Sequence, residues 1–179
     1  MKKFGLVLFL LLTSNTYSEI INGYILPPEP DSKINNSTLL GIDSNNNGVR
    51  DDVERYIIKT YSNENKIATE IGFQMAKAFN IVIENPSNTE ETMKALDAAQ
   101  DCESYFLTYS KLFKEDFYLD NRISSKLFRS MILNTEERIK AYLTYDKALS
   151  GGVYSSTKIK DMKKNCSFDV ERMLKNKNQ

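Results

Sequence analysis

The residues with the clearest chemical potential lie between positions 43 and 54. This segment reads Asp-Ser-Asn-Asn-Asn-Gly-Val-Arg-Asp-Asp-Val-Glu, which fits the pattern D-x-[DN]-x-[DN]-G-x5-E at every specified position. Calcium (Ca2+) is a hard cation that takes about six to eight oxygen ligands, and a loop with this spacing supplies them from alternate positions. The sequence therefore predicts a calcium site. The expected ligands are Asp43, Asn45, Asn47, Val49 through its backbone carbonyl, Asp51 and Glu54.

The same segment also has a purely structural interpretation. Asn47-Gly48 is a common turn sequence, and Asp51 with Glu54 has the spacing of a helix-capping pair. The chain is rich in Asn, which raises the number of accidental matches. The joint match of all the constrained positions favours calcium binding, and the turn-and-cap interpretation stays open.

This segment resembles the EF-hand-like calcium loops of exported bacterial proteins, such as those of dockerins. The resemblance covers residues 43–54 and the helix after them. There are two departures: no amphipathic helix precedes Asp43, and Arg50 occupies the position where paired loops usually carry an apolar residue. Both predict a solitary structural loop and not a sensor pair. With three carboxylates among the expected ligands, the predicted affinity is weak, about 10⁻⁴–10⁻³ M.

A longer stretch also resembles a family of uncharacterised small exported bacterial proteins. The residues that carry this second resemblance are Leu26-Pro-Pro-Glu-Pro and the run from Gly41 to Glu54. It implies export but no particular activity.

Outside this loop the sequence offers few catalytic groups. The absence of His excludes Ser-His-Asp and Cys-His arrangements and the common zinc sites. The doublets Glu90-Glu91 and Glu136-Glu137 could form a carboxylate pair for glycoside hydrolysis. They fall in predicted first helical turns, where acids favourably meet the helix dipole. We therefore assign no catalytic residue, and we expect helical packing from the tyrosines at positions 105, 109, 142 and 145.

Residues 1–18 have the form of a signal peptide. Lys2 and Lys3 precede an apolar run from Phe4 to Leu12, and small residues at Thr16 and Ser18 suit cleavage after Ser18. The run is too short for a spanning helix, which needs roughly 20 residues. The sequence thus predicts a periplasmic or secreted protein without a membrane anchor after cleavage.

The chain contains two cysteines, Cys102 and Cys166. An even count in an exported chain predicts a disulfide, which stabilises by roughly 4 kcal/mol for a bridge of this span. The alternative is a pair of buried free thiols.

The charge balance gives no preference for a highly charged partner. Lysine plus arginine and aspartate plus glutamate each number 24, and removal of Lys2 and Lys3 leaves a net charge of −2. We therefore expect no binding to nucleic acid. The hydrophobic content of 41% and the 19 Tyr and Phe residues suit a folded core.

Hydrophobic periodicity predicts an all-α protein, an irregular helical bundle of about five to six helices. Residues 19–42 contain Pro27, Pro28 and Pro30 and are predicted as an extended arm, and residues 43–179 as a helical domain that begins with the calcium loop. The predicted helices cover approximately 53–61, 67–82, 89–114, 120–132, 134–149 and 167–175.

Three functional hypotheses follow. The first is a calcium-stabilised, non-enzymatic domain that binds an unknown envelope or extracellular protein. The second is a carboxylate-dependent hydrolase of envelope polysaccharide, and the third is a periplasmic inhibitor or immunity-type protein. The lack of catalytic groups favours the first.

Overall fold

The computed structural model describes residues 19–175, so the predicted signal peptide at 1–18 lies outside the described residues. The fold is all-α and irregular, as predicted. Its helices are α1 (Ser32–Asn35), α2 (Asp51–Tyr61), α3 (Lys66–Glu84), α4 (Thr89–Ser104), α5 (Lys126–Ile132), α6 (Glu136–Ala148), α7 (Ile159–Met162) and α8 (Val170–Lys175). A π-helical turn (Tyr105–Tyr109) follows α4, and a 3-10 turn (Lys163–Asn165) follows α7. The six predicted helices are present, and α1 and α7 are additional four-residue helices.

The arm at residues 19–42 contains more regular structure than its prolines predict. Strands β1 (Ile20–Ile21) and β2 (Tyr24–Ile25) pair antiparallel. Asn22 and Gly23 connect them with φ values of 51° and 85°, the left-handed backbone that a two-residue hairpin turn requires. Farther on, the Asp31 carboxylate accepts the Ile34 backbone N–H at 2.9 Å and caps α1.

Helix α3 is the centre of the fold and packs against α2, α4 and α6. Its apolar positions recur with helical spacing, and most of its residues are buried. Gly72 allows a close approach to α2, because a Cβ atom at this position would lie 2.9 Å from Cγ2 of Ile57. The position of α2, and with it the loop before α2, therefore depends on this glycine.

Helix α4 is shorter than the predicted 89–114 helix. After Ser104 the backbone enters the π-helical turn, in which the Ser110 N–H donates to the Tyr105 carbonyl at 2.8 Å. The Phe106 carbonyl, the α-helical acceptor for that N–H, instead accepts the Ser110 hydroxyl at 3.0 Å and the Leu119 N–H at 2.9 Å. The Leu119 N–H thus helps to end α4. Because Leu119 lies outside the helix, the hydrophobic periodicity of residues 89–114 cannot predict this end.

Helix α5 begins at Lys126, later than the predicted start at Asp120 or Asn121. The buried carboxylate of Glu103 accepts the backbone N–H and the hydroxyl of Ser124, each at 2.6 Å. These contacts hold the chain just before α5, and Ser125 then caps the helix through Phe128. The predicted helix start was wrong because Glu103, on another helix, fixes this segment.

The predicted disulfide is confirmed. Cys102 on α4 and Cys166 after the 3-10 turn are bonded, with their Cα atoms 4.9 Å apart. The alternative of two free thiols is therefore wrong. No helix within residues 19–175 combines the length and apolar character needed to cross a membrane.

Candidate calcium-binding loop

The predicted ligand loop connects the arm to α2. Asp51 and Glu54 lie in the first turn of α2, where acids favourably meet the N-terminal helix dipole. The turn before them needs left-handed backbone at Asn46 (φ 55°) and Gly48 (φ 84°), which suits Asn and Gly. Val49 is buried in the core. The loop is thus held between the core and the start of a helix.

Three of the predicted ligands converge on one point. The Asn45 side-chain nitrogen lies 3.3 Å and 3.1 Å from the two carboxylate oxygens of Glu54. The Asn47 side-chain nitrogen lies 2.7 Å from Oε2 of the same carboxylate. Residues nine and seven positions before Glu54 therefore meet it within hydrogen-bond distance, as the calcium-loop pattern requires.

The two aspartates organise the backbone of the loop. The Asp43 carboxylate accepts the N–H groups of Asn47 at 3.1 Å and Gly48 at 2.8 Å. The Asp51 carboxylate accepts the Ser44 N–H at 3.0 Å and thereby closes the loop on itself. Both carboxylates consequently face the inside of the turn, where an ion would sit.

Burial makes the Glu54 carboxylate electrostatically unfavourable in the absence of a cation. Glu54 is only 4% exposed, and this burial raises its pKa, while Asp51 and Asp43 raise it further. Hydrogen bonds from Asn47 and Asn45 act in the opposite direction. A divalent cation in the loop would offset both the burial and the mutual repulsion of the three carboxylates.

The donor set fits calcium, with one local rearrangement. Asn45 and Asn47 direct their amide nitrogens toward Glu54, whereas a cation needs the amide oxygens. A half-turn of each terminal amide exchanges nitrogen and oxygen without moving the backbone, but it also breaks the hydrogen bonds in which the Asn45 and Asn47 amide oxygens accept the N–H groups of Asn47 at 3.1 Å and Val49 at 2.8 Å. Within residues 19–175, no group of three or more His, Cys, Asp or Glu side chains could hold a metal ion. A calcium site in this loop therefore depends on the two amides and the Val49 carbonyl as well as the acids.

Arg50 anchors the loop to a distant part of the fold. Its guanidinium, 2% exposed, donates to the backbone carbonyls of Met131 at 2.6 Å and Ile132 at 3.3 Å. It also pairs with Asp52 at 2.5 Å. At this position, paired calcium loops contact a partner loop, whereas Arg50 contacts the C-terminal end of α5. The sequence did not predict this contact, and the solitary character of the loop stays a prediction.

Arg138 holds the segment just before the loop. Its fully buried guanidinium, on α6, donates to the carbonyls of Asn35 at 2.7 Å, Thr38 at 3.0 Å and Leu39 at 2.8 Å. Burial, with the nearby charge of Arg50, lowers the pKa of Arg138 to about 10, so it remains charged at neutral pH. Nothing in the sequence distinguishes this residue, because an arginine directly after the Glu136-Glu137 doublet is typical of a solvated helix face.

The other candidates occupy structural positions. Glu90 and Glu91 lie in the first turn of α4, and Glu136 and Glu137 in the first turn of α6, as predicted. The Glu91 carboxylate accepts the Asn88 side-chain N–H at 2.8 Å, and Glu136 pairs with Lys140 at 2.6 Å. The predicted packing of the four tyrosines is confirmed: two are buried in the core and two pack against it, namely Tyr105 and Tyr145, and Tyr109 and Tyr142.

No family model, curated protein or solved structure matches the chain. The resemblance to EF-hand-like loops therefore stays a prediction from the sequence motif.

Proposed function

We propose that this protein is an exported, calcium-stabilised helical domain that binds a partner and catalyses no reaction. The observation that carries the calcium part is the convergence of Asn45, Asn47 and Glu54 inside a loop whose turn is organised by Asp43. The ion would join the arm to the first turn of α2. Its role is structural, because ion binding contributes to the free energy of folding.

The positions of the acidic doublets support a non-enzymatic role. Glu91 is engaged by the side chain that caps α4, and Glu136 pairs along α6 with Lys140. A glycosidase needs two carboxylates facing each other across a cleft, about 5–10 Å apart. Each doublet instead belongs to a helix start, where capping and the helix dipole account for it.

The disulfide and the exposed hairpin support export and partner binding. A disulfide between Cys102 and Cys166 persists in an oxidising compartment, which suits the periplasm or the medium. Ile20 and Ile25 face each other across β1 and β2, and each is about two-thirds exposed. An exposed apolar pair of this kind suits contact with an envelope or extracellular protein.

The test is a thermal melt of the oxidised mature protein, first in excess EDTA and then in millimolar calcium. At calcium concentrations of about 10 to 100 times the Kd, we expect about 1–3 kcal/mol of added stability and a clear rise in Tm. Asp43→Ala should abolish the calcium-dependent difference, whatever its own stability. Asp120→Ala, which removes an exposed acid outside the loop, should leave the difference unchanged.

A Tm that stays constant up to several millimolar calcium would reduce residues 43–54 to a turn and a helix cap. The same conclusion would follow if Asp43→Ala kept the full calcium response.

A further inference from the structure

A second feature of the molecule is a groove of about 390 Å³ on the side of α3 that faces α4. This volume is within the range of about 300–1,000 Å³ that is typical of small-molecule sites. Its apolar surface comes from two alanines on α4 and from an alanine and an isoleucine on α3: Ala95, Ala98, Ala78 and Ile81. The short side chains leave room for a ligand between the helices.

The third wall of the groove is the segment around Cys166, and it is rigidly held. Gln74 on α3 donates to the Asn165 carbonyl at 2.7 Å and accepts the Ser167 N–H at 2.9 Å. Asn165 also donates to Asp101 on α4 at 2.7 Å, and the disulfide fixes Cys166 itself. The groove is therefore preformed, so a ligand would not need to order its walls.

The charges that line the groove favour an anion. Lys77 and Lys94 are exposed at its edges, and neither forms an ion pair with another residue in the range 19–175. The one acid in the lining, Glu91, accepts a hydrogen bond from the neutral side chain of Asn88 and keeps its charge, so the two lysines leave the lining with a net positive charge. An apolar surface beside two unpaired ammonium groups matches a molecule with a hydrocarbon tail and one negative head group.

We propose that this groove binds a free medium-chain fatty acid, with its tail on Ala78, Ile81 and the two alanines of α4 and its carboxylate held by Lys77 and Lys94. The proposal goes beyond the proposed binding of an envelope or extracellular protein, because it adds a small-molecule ligand. The predicted ion ligands do not line this groove, but Lys77 also borders a neighbouring cavity beside Asp43 and Gly48 of the loop, so the test is carried out without calcium.

The test is a calorimetric titration of the oxidised mature protein with decanoate. Decanol and decylamine, which keep the tail and change the head group, are titrated in parallel. EDTA is present throughout, so that calcium soaps do not form and the calcium loop is not tested at the same time. We expect decanoate to bind more tightly than either analogue.

Four variants sharpen the test. Lys77→Gln and Lys94→Gln should each weaken decanoate binding by up to about fivefold, the range of a partly exposed ion pair. Glu91→Gln should strengthen it, because it removes the opposing charge. Lys66→Gln, on the same helix but outside the groove, should have no effect.

Ala98→Trp should abolish binding by filling the groove, and a melt checks that this variant still folds. Equal or tighter binding of decanol or decylamine would overturn the proposal, as would lysine variants that bind decanoate normally. A protein that ignores decanoate but retains its calcium-dependent Tm shift loses only the fatty-acid proposal. A protein that binds decanoate but shows no calcium-dependent Tm shift loses only the proposed calcium site.

Discussion

Two segments of the molecule are attached to its central helices by different interactions. The loop region, residues 35–54, is held by two buried guanidinium groups. Arg138 donates to backbone carbonyls within the loop region, and Arg50, which belongs to the loop region, donates to a backbone carbonyl of α5. The clamp region, residues 158–175, is held by the Cys102–Cys166 disulfide and by Gln74. The loop region should respond to cations and pH, and the clamp region to reductant.

The difference also concerns the core. Val170 and Leu174 of the clamp region are buried with the main core, as are Val49 and Val53 of the loop region, but the loop region also buries the carboxylates of Asp51 and Glu54. Burial of apolar area stabilises the fold, but burial of a carboxylate costs free energy unless it is paired. The loop region is therefore where a bound ion has most to contribute.

The largest expected effect is the loss of the disulfide. Cys102→Ala together with Cys166→Ala should lower the free energy of unfolding by about 4 kcal/mol, since the bridge closes a loop across a sequence separation of 64 residues. Denaturant unfolding measures the change. The calcium-dependent Tm difference should survive in the variant if it still folds, and its disappearance would show that the two regions are not independent.

The second effect concerns the buried guanidinium of Arg138. Arg138→Met should cost about 3 kcal/mol, because it leaves the carbonyls of Asn35, Thr38 and Leu39 without their donor. Hydrogen exchange should show the loss of protection concentrated around residues 35–42. Arg129→Met, at an exposed position on α5, is the matched control, and a similar cost there would refute the anchoring role.

The third effect, that of Glu54→Gln on stability, has opposite signs without and with calcium. Glu54→Gln should stabilise the calcium-free protein at neutral pH, because it removes a buried carboxylate whose pKa is raised by that burial. In millimolar calcium the same variant should be less stable than the original protein, because a bidentate ligand is lost. Melts in EDTA and in calcium measure both signs.

The pH dependence gives an independent check on Glu54. A raised pKa means that the folded protein holds this proton more tightly than the unfolded chain does. The contribution of Glu54 to stability is therefore greatest below the unfolded pKa of about 4.3 and decreases as pH rises through the folded pKa. Glu54→Gln should flatten this part of the pH profile in EDTA. An unchanged profile would show that the Glu54 carboxylate does not titrate there.

The smallest expected effect is on the surface. Glu136→Gln breaks an exposed i,i+4 pair with Lys140 and should change the free energy of unfolding by less than about 0.5 kcal/mol. It should also leave calcium binding untouched. A larger loss would mean that the first turn of α6 contributes more to positioning Arg138 than its exposure suggests.

Much of the architecture followed from local patterns. The periodicity of α3 predicted the helix at the centre of the core, and an even number of cysteines predicted the disulfide. The C-terminal end of α4 and the start of α5 could not be predicted. They depend on the Leu119 N–H donating to the Phe106 carbonyl and on the Ser124 N–H donating to the Glu103 carboxylate. Both pairs are distant in sequence, and neither donor has a recognisable spacing.

The candidate site likewise combines features that local sequence predicts with features that depend on distant contacts. The proposed oxygen ligands and the turn at Gly48 can be read from twelve consecutive residues, because a calcium loop is a local structure. The anchors cannot be read in this way: Arg50 acts on the end of α5 and Arg138 acts from α6. An arginine beside several acids looks like a surface residue until the fold buries it.

The position of the disulfide has a consequence for the order of events during biosynthesis. A chain is synthesised from its N-terminus and begins to fold in that order, and Cys166 comes after helices α1 to α7 in the chain. The arm, the loop and helices α1 to α6 are all complete before the second thiol exists. The bond therefore closes on a molecule whose central helices can already have met, and it secures their packing afterwards instead of directing it.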